Sequence, residues 1–242
     1  MIARFYCPSP LAPGAIVELA PEAAHHATRV LRLDEGDPVD LFDGRGGEWR
    51  GRLQRNGKTL GVALEFFSAE EREAPLRVTV AQALPAADKM DWIIQKGVEL
   101  GVAAVRPLVA RRSVVRLSGE RMARRVAHWQ NVAVAACEQS RRNRVPPVAA
   151  PVDLAQFLAE PVADNDVRLL LAPGAGSRLA QMPRPAAGIT LLVGPEGGFE
   201  DGEIAAAESA GFRAVGLGPR VLRTETAAMA ALAAMLALWG DF

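Results

Sequence analysis

Cysteine and histidine are scarce in this chain of 242 residues, and each scarcity removes a class of chemistry. The two cysteines, Cys7 and Cys137, stand far apart with no partner motif. Neither a disulfide framework nor a thiolate metal site is supported, and a reducing compartment fits. The three histidines are His25, His26 and His128. Adjacent helical residues point about 100° apart, so His25 and His26 do not converge on one metal, and no metal site is expected. Net charge is absent as well: 28 Lys+Arg meet 28 Asp+Glu, which excludes a histone-like basic protein. No apolar run reaches bilayer length, since Ala227 to Trp239 is too short to span. The opening MIARFYCPSP has no positively charged lead into an apolar stretch. These features predict a cytoplasmic protein with no membrane partner. Three catalytic signatures are also missing. Gly194-Pro195-Glu196-Gly197-Gly198 is not the dinucleotide fingerprint, no Walker lysine follows a glycine loop, and Ser177 has no nucleophile-elbow glycines around it.

Half of the residues are hydrophobic, enough for a well-buried core in one large domain or two small ones, and too many for a disordered chain. The zero net charge hides an uneven distribution. Residues 106–144 hold ten arginines (Arg106, Arg111, Arg112, Arg116, Arg121, Arg124, Arg125, Arg141, Arg142, Arg144) against Glu120 and Glu138 only, a local charge of +8. A polyanion partner therefore stays open, because counterion release depends on the phosphates touched and not on total charge. The plainer alternative is a solvated helix face.

The first 72 residues predict a small β-rich module around one helix, Pro21 to Leu33, with strands over Asp37 to Asp43, Glu48 to Gln54 and Thr59 to Phe67. The polar stretch Ser68 to Pro75 predicts a linker. From Leu76 onward strands alternate with helices, the mark of an α/β domain with a mostly parallel sheet. Strands are expected at Leu76 to Leu84, Ala103 to Val109, Val167 to Ala172, Ile189 to Gly194 and Ala214 to Leu217. Helices are expected at Lys89 to Leu100, 119–140, Asp201 to Ala210 and Thr224 to Trp239. In helix 119–140, Val126, Trp129, Val132, Ala133 and Ala136 recur at helical spacing, so the arginines there can face water.

Two strand ends run into glycine-rich turns that open helices, Leu191 to Phe199 and Gly216 to Ala227. In open α/β sheets ligands bind outside the carboxyl ends of strands, where glycine lets the backbone approach them. Glu196 lies in the first turn, and Arg220, Arg223 and Glu225 beside the second. Such charges bind substrate anions, stabilise developing charge or move a proton. For Glu225 the alternative is helix-dipole complementation, with Thr224 as the N-cap. Arg223 gains nothing from the positive end of a helix, which favours a substrate role.

At these loops the chain resembles a known family. LLVGPEGGFEDGEI (191–204) and LGPRVLRTETA (217–227) are similar to the signature of the SPOUT-class ribosomal RNA methyltransferases of the RsmE type, which methylate uracil N3 in 16S rRNA. Asp88 to Gly101 resembles the family's K-x-x-x-x-x-x-K-x-x-E-L-G stretch, Ala136 to Arg142 its A-x-E-Q-S-x-R, and Arg4-Phe5-Tyr6 the start of its N-terminal module. The family's L-G-x-R-I-L-R reads Leu217-Gly218-Pro219-Arg220-Val221-Leu222-Arg223, a conservative change.

The resemblance implies a PUA-like RNA-binding β-barrel over 1–72 and an α/β methyltransferase domain over 73–242 whose C-terminal part is a trefoil knot. It also implies a homodimer, S-adenosylmethionine as cofactor, and 16S rRNA or the assembled small subunit as partner. Carried over residue by residue, the cofactor site comprises Leu171, Ala172, Val193, Gly194, Pro195, Glu196, Gly197, Gly198, Leu217, Gly218, Arg220, Leu222, Arg223, Thr226 and Ala227. Uracil N3 becomes a nucleophile only when its proton leaves. Arg223 is expected to stabilise the anion or position the base, with Glu225 or Glu196 as proton acceptor. Arg111, Arg112, Arg116, Arg141, Arg142 and Arg144, with Arg4, Arg29 and Arg32 of the small module, are the expected phosphate contacts. A ribose 2′-O methyltransferase of the same class and a non-catalytic RNA-binding assembly factor stand as alternatives.

Overall fold

A computed structural model of the chain describes residues 2–57, 59–115, 117–161 and 166–242. Arg116, one of the expected phosphate contacts, lies outside these residues. The chain divides into two compact units, one of residues 1–73 with 137–145, the other of 74–136 with 146–242.

The first unit is built on a five-stranded sheet. Its elements are β1 (Ala3–Tyr6), β2 (Ile16–Glu18), α1 (Pro21–His25), β3 (Pro38–Phe42), β4 (Glu48–Asn56) and β5 (Thr59–Ser68), and the strand order is β1-β3-β4-β5-β2. β1 pairs parallel with β3, and the other pairs are antiparallel. Asn56 and Thr59 face each other where β4 turns into β5, and Gly57 takes the positive φ of 59° that this tight turn requires. Phe5, Val39, Leu41, Leu53 and Val62 fill the core beneath the sheet. The helix expected over Pro21 to Leu33 is shorter. After α1 the chain makes a π-helical turn over His26–Val30, in which the Thr28 hydroxyl donates to the Ala24 carbonyl, and Arg32 leaves in the left-handed region at φ 56°. A β-branched residue bonding back to the preceding turn disfavours regular continuation of the helix.

Segment 137–145 belongs to this unit because Arg4 is buried against it. The guanidinium donates to the Cys137 carbonyl at 2.9 Å, to the Asn143 side-chain oxygen and to the Glu48 carboxylate at 3.1 Å. Burial pulls the Arg4 guanidinium below its ordinary range, and Glu48 opposes that shift. Arg142 is 4% exposed and pairs with Glu73. Burial likewise raises the Cys137 thiol to about 12, so it stays a neutral core group.

The second unit holds β6 (Val78–Ala83), α2 (Lys89–Glu99), β7 (Ala104–Val109), most of α3 (Gly119–Ser140), β8 (Val152–Asp153), α4 (Leu154–Leu158), β9 (Val167–Leu171), β10 (Ile189–Val193), α5 (Asp201–Ser209), β11 (Arg213–Val215) and α6 (Thr224–Trp239). Its six strands are all parallel, in the order β11-β9-β10-β6-β7-β8. β8 and α4 are short additions that the strand and helix periodicity did not reveal. β10, inside the sheet, reads ITLLV with four of five residues buried, the continuous apolar run of a strand covered on both faces. α2 buries Met90, Ile93, Ile94, Gly97 and Val98, the apolar stripe of a helix lying on a sheet. α6 packs beside α2 and is buried through Ala228, Ala231, Leu232, Met235 and Leu236.

Removing one member of a buried ion pair leaves the other charged and unsolvated. Arg4→Met is therefore expected to destabilise the first unit by about 3–5 kcal/mol, read as an earlier transition in thermal unfolding. An unchanged transition would show that Glu48 and segment 137–145 do not depend on Arg4.

Candidate active site

Parallel pairing brings the loops after β9, β10 and β11 to one edge of the second unit, where they enclose a cavity of about 700 Å³. Every residue expected at the cofactor site lines this cavity except Thr226, which is exposed on the first turn of α6. Gly198 and Gly218 have φ values of 68° and 123°, with no atom within 4 Å of where a Cβ would stand. Both turns therefore need glycine for conformation and present bare backbone to the cavity.

A small hydrogen-bond network fixes these loops. The Thr224 hydroxyl donates to the Gly194 carbonyl at 2.6 Å and accepts from the Gln82 side-chain amide at 2.9 Å. The same amide donates to the Ala83 carbonyl. Thr224 was expected to cap α6. It is instead the first helical residue, Arg223 holds the N-cap position, and no side chain caps the helix. Being inside the helix, Thr224 does not stand at the extended N-cap position from which a hydroxyl accepts from the first-turn N–H groups.

Charge at the cavity is organised by Lys89, at the start of α2. Its ammonium donates to Glu196 Oε1 at 2.7 Å and lies 3.6 Å from Glu225 Oε2. The Ala86 N–H also donates to the Glu196 carboxylate, at 3.0 Å. Burial alone would raise the Glu196 carboxyl, but hydrogen bonds from Lys89 and from backbone N–H groups outweigh it and hold it below the usual carboxylate range. The bond to Glu196 in turn raises the Lys89 ammonium above its ordinary value. Both groups stay charged through neutral pH. Glu225 Oε2 is buried and accepts no hydrogen bond among the described residues. Arg220 and Arg223 line the cavity, are exposed, and have no acidic partner among the described residues.

Lys89 was missed as a site residue although the signal was present. It follows the strand expected over Leu76 to Leu84, observed as β6, and so opens a helix at the carboxyl edge of a parallel sheet. Arg112, expected at RNA phosphates, reaches this site and donates to the Gly197 carbonyl at 2.8 Å. Arg111 is exposed, with its backbone N–H on Glu203. In the first unit Arg29 and Arg32 are exposed, Arg144 pairs with Glu71, and Arg141 lies 3.9 Å from Asp40. Arg4 and Arg142, also expected at phosphates, are turned inward. Arg4 donates to Glu48 and Arg142 to Glu73, and both arginines are themselves buried, so they shape the first unit and do not present charge at its surface.

A family model described as an RNA methyltransferase domain matches residues 72–236, and one described as an RNA methyltransferase PUA domain matches residues 19–63. The chain belongs to the ribosomal RNA small subunit methyltransferase E family. The member from Synechocystis is 40% identical over 229 residues, covering 93% of this chain and 74% of the relative. Among solved structures, the ribosomal RNA small subunit methyltransferase E of Neisseria gonorrhoeae bound to S-adenosyl methionine superposes with a TM-score of 0.93. It is 38% identical, with both chains fully covered. A putative methyltransferase of Legionella pneumophila in complex with the bound cofactor SAM matches with the same TM-score, identity and coverage. Among the described residues no helix is long and apolar enough to cross a membrane.

Two outcomes follow from this geometry. Thr224→Val should cost about 1–3 kcal/mol of stability, because Gly194 and Gln82 lose a buried partner, and should loosen ligand binding in the cavity; intact stability and affinity together would remove the network from the site. Lys89→Met should return the Glu196 carboxyl upward, as read by carbon-13 NMR titration, and an unmoved titration would show that the ammonium does not hold it.

Proposed function

We propose that the chain transfers a methyl group from S-adenosylmethionine to N3 of a uridine in 16S rRNA of the small ribosomal subunit. The observation that carries this is a glycine-walled cavity lined by Arg220, Arg223, Glu196 and Lys89, with no acidic partner for either arginine among the described residues, on a chain aligned end to end with a relative solved with that ligand. The cavity volume falls within the roughly 300–1,000 Å³ of small-molecule sites, enough for a nucleoside with an amino-acid side arm. Backbone from Val193 to Gly198 and from Leu217 to Leu222 would hold the cofactor, with Leu171 and Ala172 against it. Bound there, S-adenosylmethionine supplies an electrophilic methyl group on a positively charged sulfur.

The remaining work is done by the chain's own side chains. Loss of the N3 proton leaves an anion spread over the ring nitrogen and its flanking carbonyl oxygens. The Arg223 guanidinium has no competing carboxylate among the described residues and would stabilise that charge. Glu196 is the weaker candidate for proton acceptor, since Lys89 and the Ala86 N–H already occupy it. Glu225 Oε2 accepts no hydrogen bond among the described residues and lies 3.6 Å from the ammonium of Lys89, which lines the cavity. Glu225 is therefore assigned the proton, and Lys89 the positioning of both carboxylates. N3 is engaged when uracil is paired, so the target base must be unpaired or flipped out. The same reading places the enzyme in the cytoplasm as a homodimer, with a PUA-like domain over 1–72 and a knotted methyltransferase domain over 73–242.

Arg223→Ala and Glu225→Gln should each lower turnover by about 10²-fold while leaving S-adenosylmethionine affinity, measured by calorimetry, nearly unchanged. Transfer of labelled methyl to unmodified small subunits and to bare rRNA, followed by nucleoside mass spectrometry, locates the product. Methyl on the ribose would overturn the N3 assignment, and near-normal turnover of Arg223→Ala would remove that residue from the chemistry.

A further inference from the structure

Beside the cavity already described lies a second one, of about 480 Å³, and a single loop separates the two. In the loop after β6, the Ala86 N–H faces the first cavity and holds Glu196, while Leu84, Pro85, Ala87 and Asp88 line the second. Ala87 adopts a left-handed φ of 55°, unusual for a residue with a Cβ, so the loop is held in a costly conformation where the cavities meet. The far wall is α3. Arg121, Arg124, Arg125 and His128 line the cavity, spaced so that all four share one helix face.

Two of these side chains, Arg121 and Arg124, are lightly committed. Arg121 has no ion pair among the described residues, and Arg124 pairs only with Glu120 at 3.6 Å, both side chains being at least 79% exposed. Such exposed pairs are worth little and exchange readily for another anion. Asp88 sits at the N-cap of α2 yet makes no cap bond, and accepts from Arg125 at 3.1 Å instead. Asp91 is filled by Trp129 Nε1–H at 3.0 Å and His128 Nε2 at 2.6 Å. The same cavity is also lined by the apolar residues Leu84, Pro85, Met90, Val115 and Leu117. A cationic rim over an apolar floor suits a phosphodiester with its base laid inward, and arginine forks match phosphate oxygens.

We propose that this second cavity binds the nucleotide adjoining the methylated uridine, with Arg121 and Arg124 on its phosphates and its base against the apolar floor. The proposal rests on the reading that the chain methylates a base in rRNA. It moves the expected phosphate contacts of the second unit onto arginines that the sequence did not single out for that role.

The test is the double variant Arg121→Gln, Arg124→Gln, with Arg121→Lys, Arg124→Lys as its charge-preserving control. Binding to unmodified small subunits is measured across a salt series, and methylation under multiple turnover. The glutamine variant should bind about ten-fold more weakly, with a log–log salt slope shallower by about one to two, as expected for two lost phosphate contacts on single-stranded RNA. KM should rise while kcat and S-adenosylmethionine affinity hold, and the lysine variant should recover most of the slope. An unchanged slope and KM overturn the proposal, and leave the methyltransferase reading standing if the wild type still methylates uridine N3. If the slope falls as expected but the wild type modifies no uridine at N3, the RNA site stands and the assignment of the reaction fails.

Discussion

The Thr224 hydroxyl, shared between the Gly194 carbonyl and the Gln82 amide, is the contact on which the candidate site depends. It ties the end of β6, the turn after β10 and the first residue of α6 at one point. A fully parallel sheet places the carboxyl ends of its strands along one edge, but it does not by itself set the spacing of the loops there. That spacing decides whether backbone groups converge on a ligand. The N-cap position of α6 falls on Arg223, whose side chain has only donors, which is why the helix begins without a side-chain cap.

Lys89 adds the electrostatic counterpart. Two carboxylates, one on the turn after β10 and one on the first turn of α6, would repel each other, and an ammonium within reach of both makes their approach favourable. The two acids become unequal as a result. Glu196 accepts from Lys89 and the Ala86 N–H, whereas Glu225 Oε2 accepts no hydrogen bond among the described residues. Both are glutamates within reach of one lysine, so the two differ in their hydrogen-bond partners and not in residue type.

The arginine-rich segment sorts in the same manner. Arg142 is buried with Glu73, Arg112 serves the turn at Gly197, Arg125 joins Asp88, and Arg121 and Arg124 stand in solvent on one face of α3. The local excess of +8 is therefore not one patch. Part of it fills structural pairs, and the rest is offered to solvent or to an anion. Total neutrality with a concentrated cationic face suits a protein that binds polyanions at one place and repels or ignores them elsewhere.

Much was legible in the chain. Alternating apolar strands and striped helices marked the parallel sheet, glycine-rich turns after strands marked the cavity, and the α3 stripe of Trp129, Ala133 and Ala136 marked its inward face. These are local properties, set by side-chain period and by the backbone freedom of glycine. The partner of each charge was not legible. Arg4 and Glu48, Lys89 and Glu196, and Gln82 and Thr224 are far apart in sequence, and nothing in the residues themselves says which will meet. Burial of Arg4, the inequality of Glu196 and Glu225, and the cavity beside Arg121 and Arg124 were decided by the tertiary structure. Desolvation and pairing of charge act through space, while the pattern that forms a helix or strand acts along the chain.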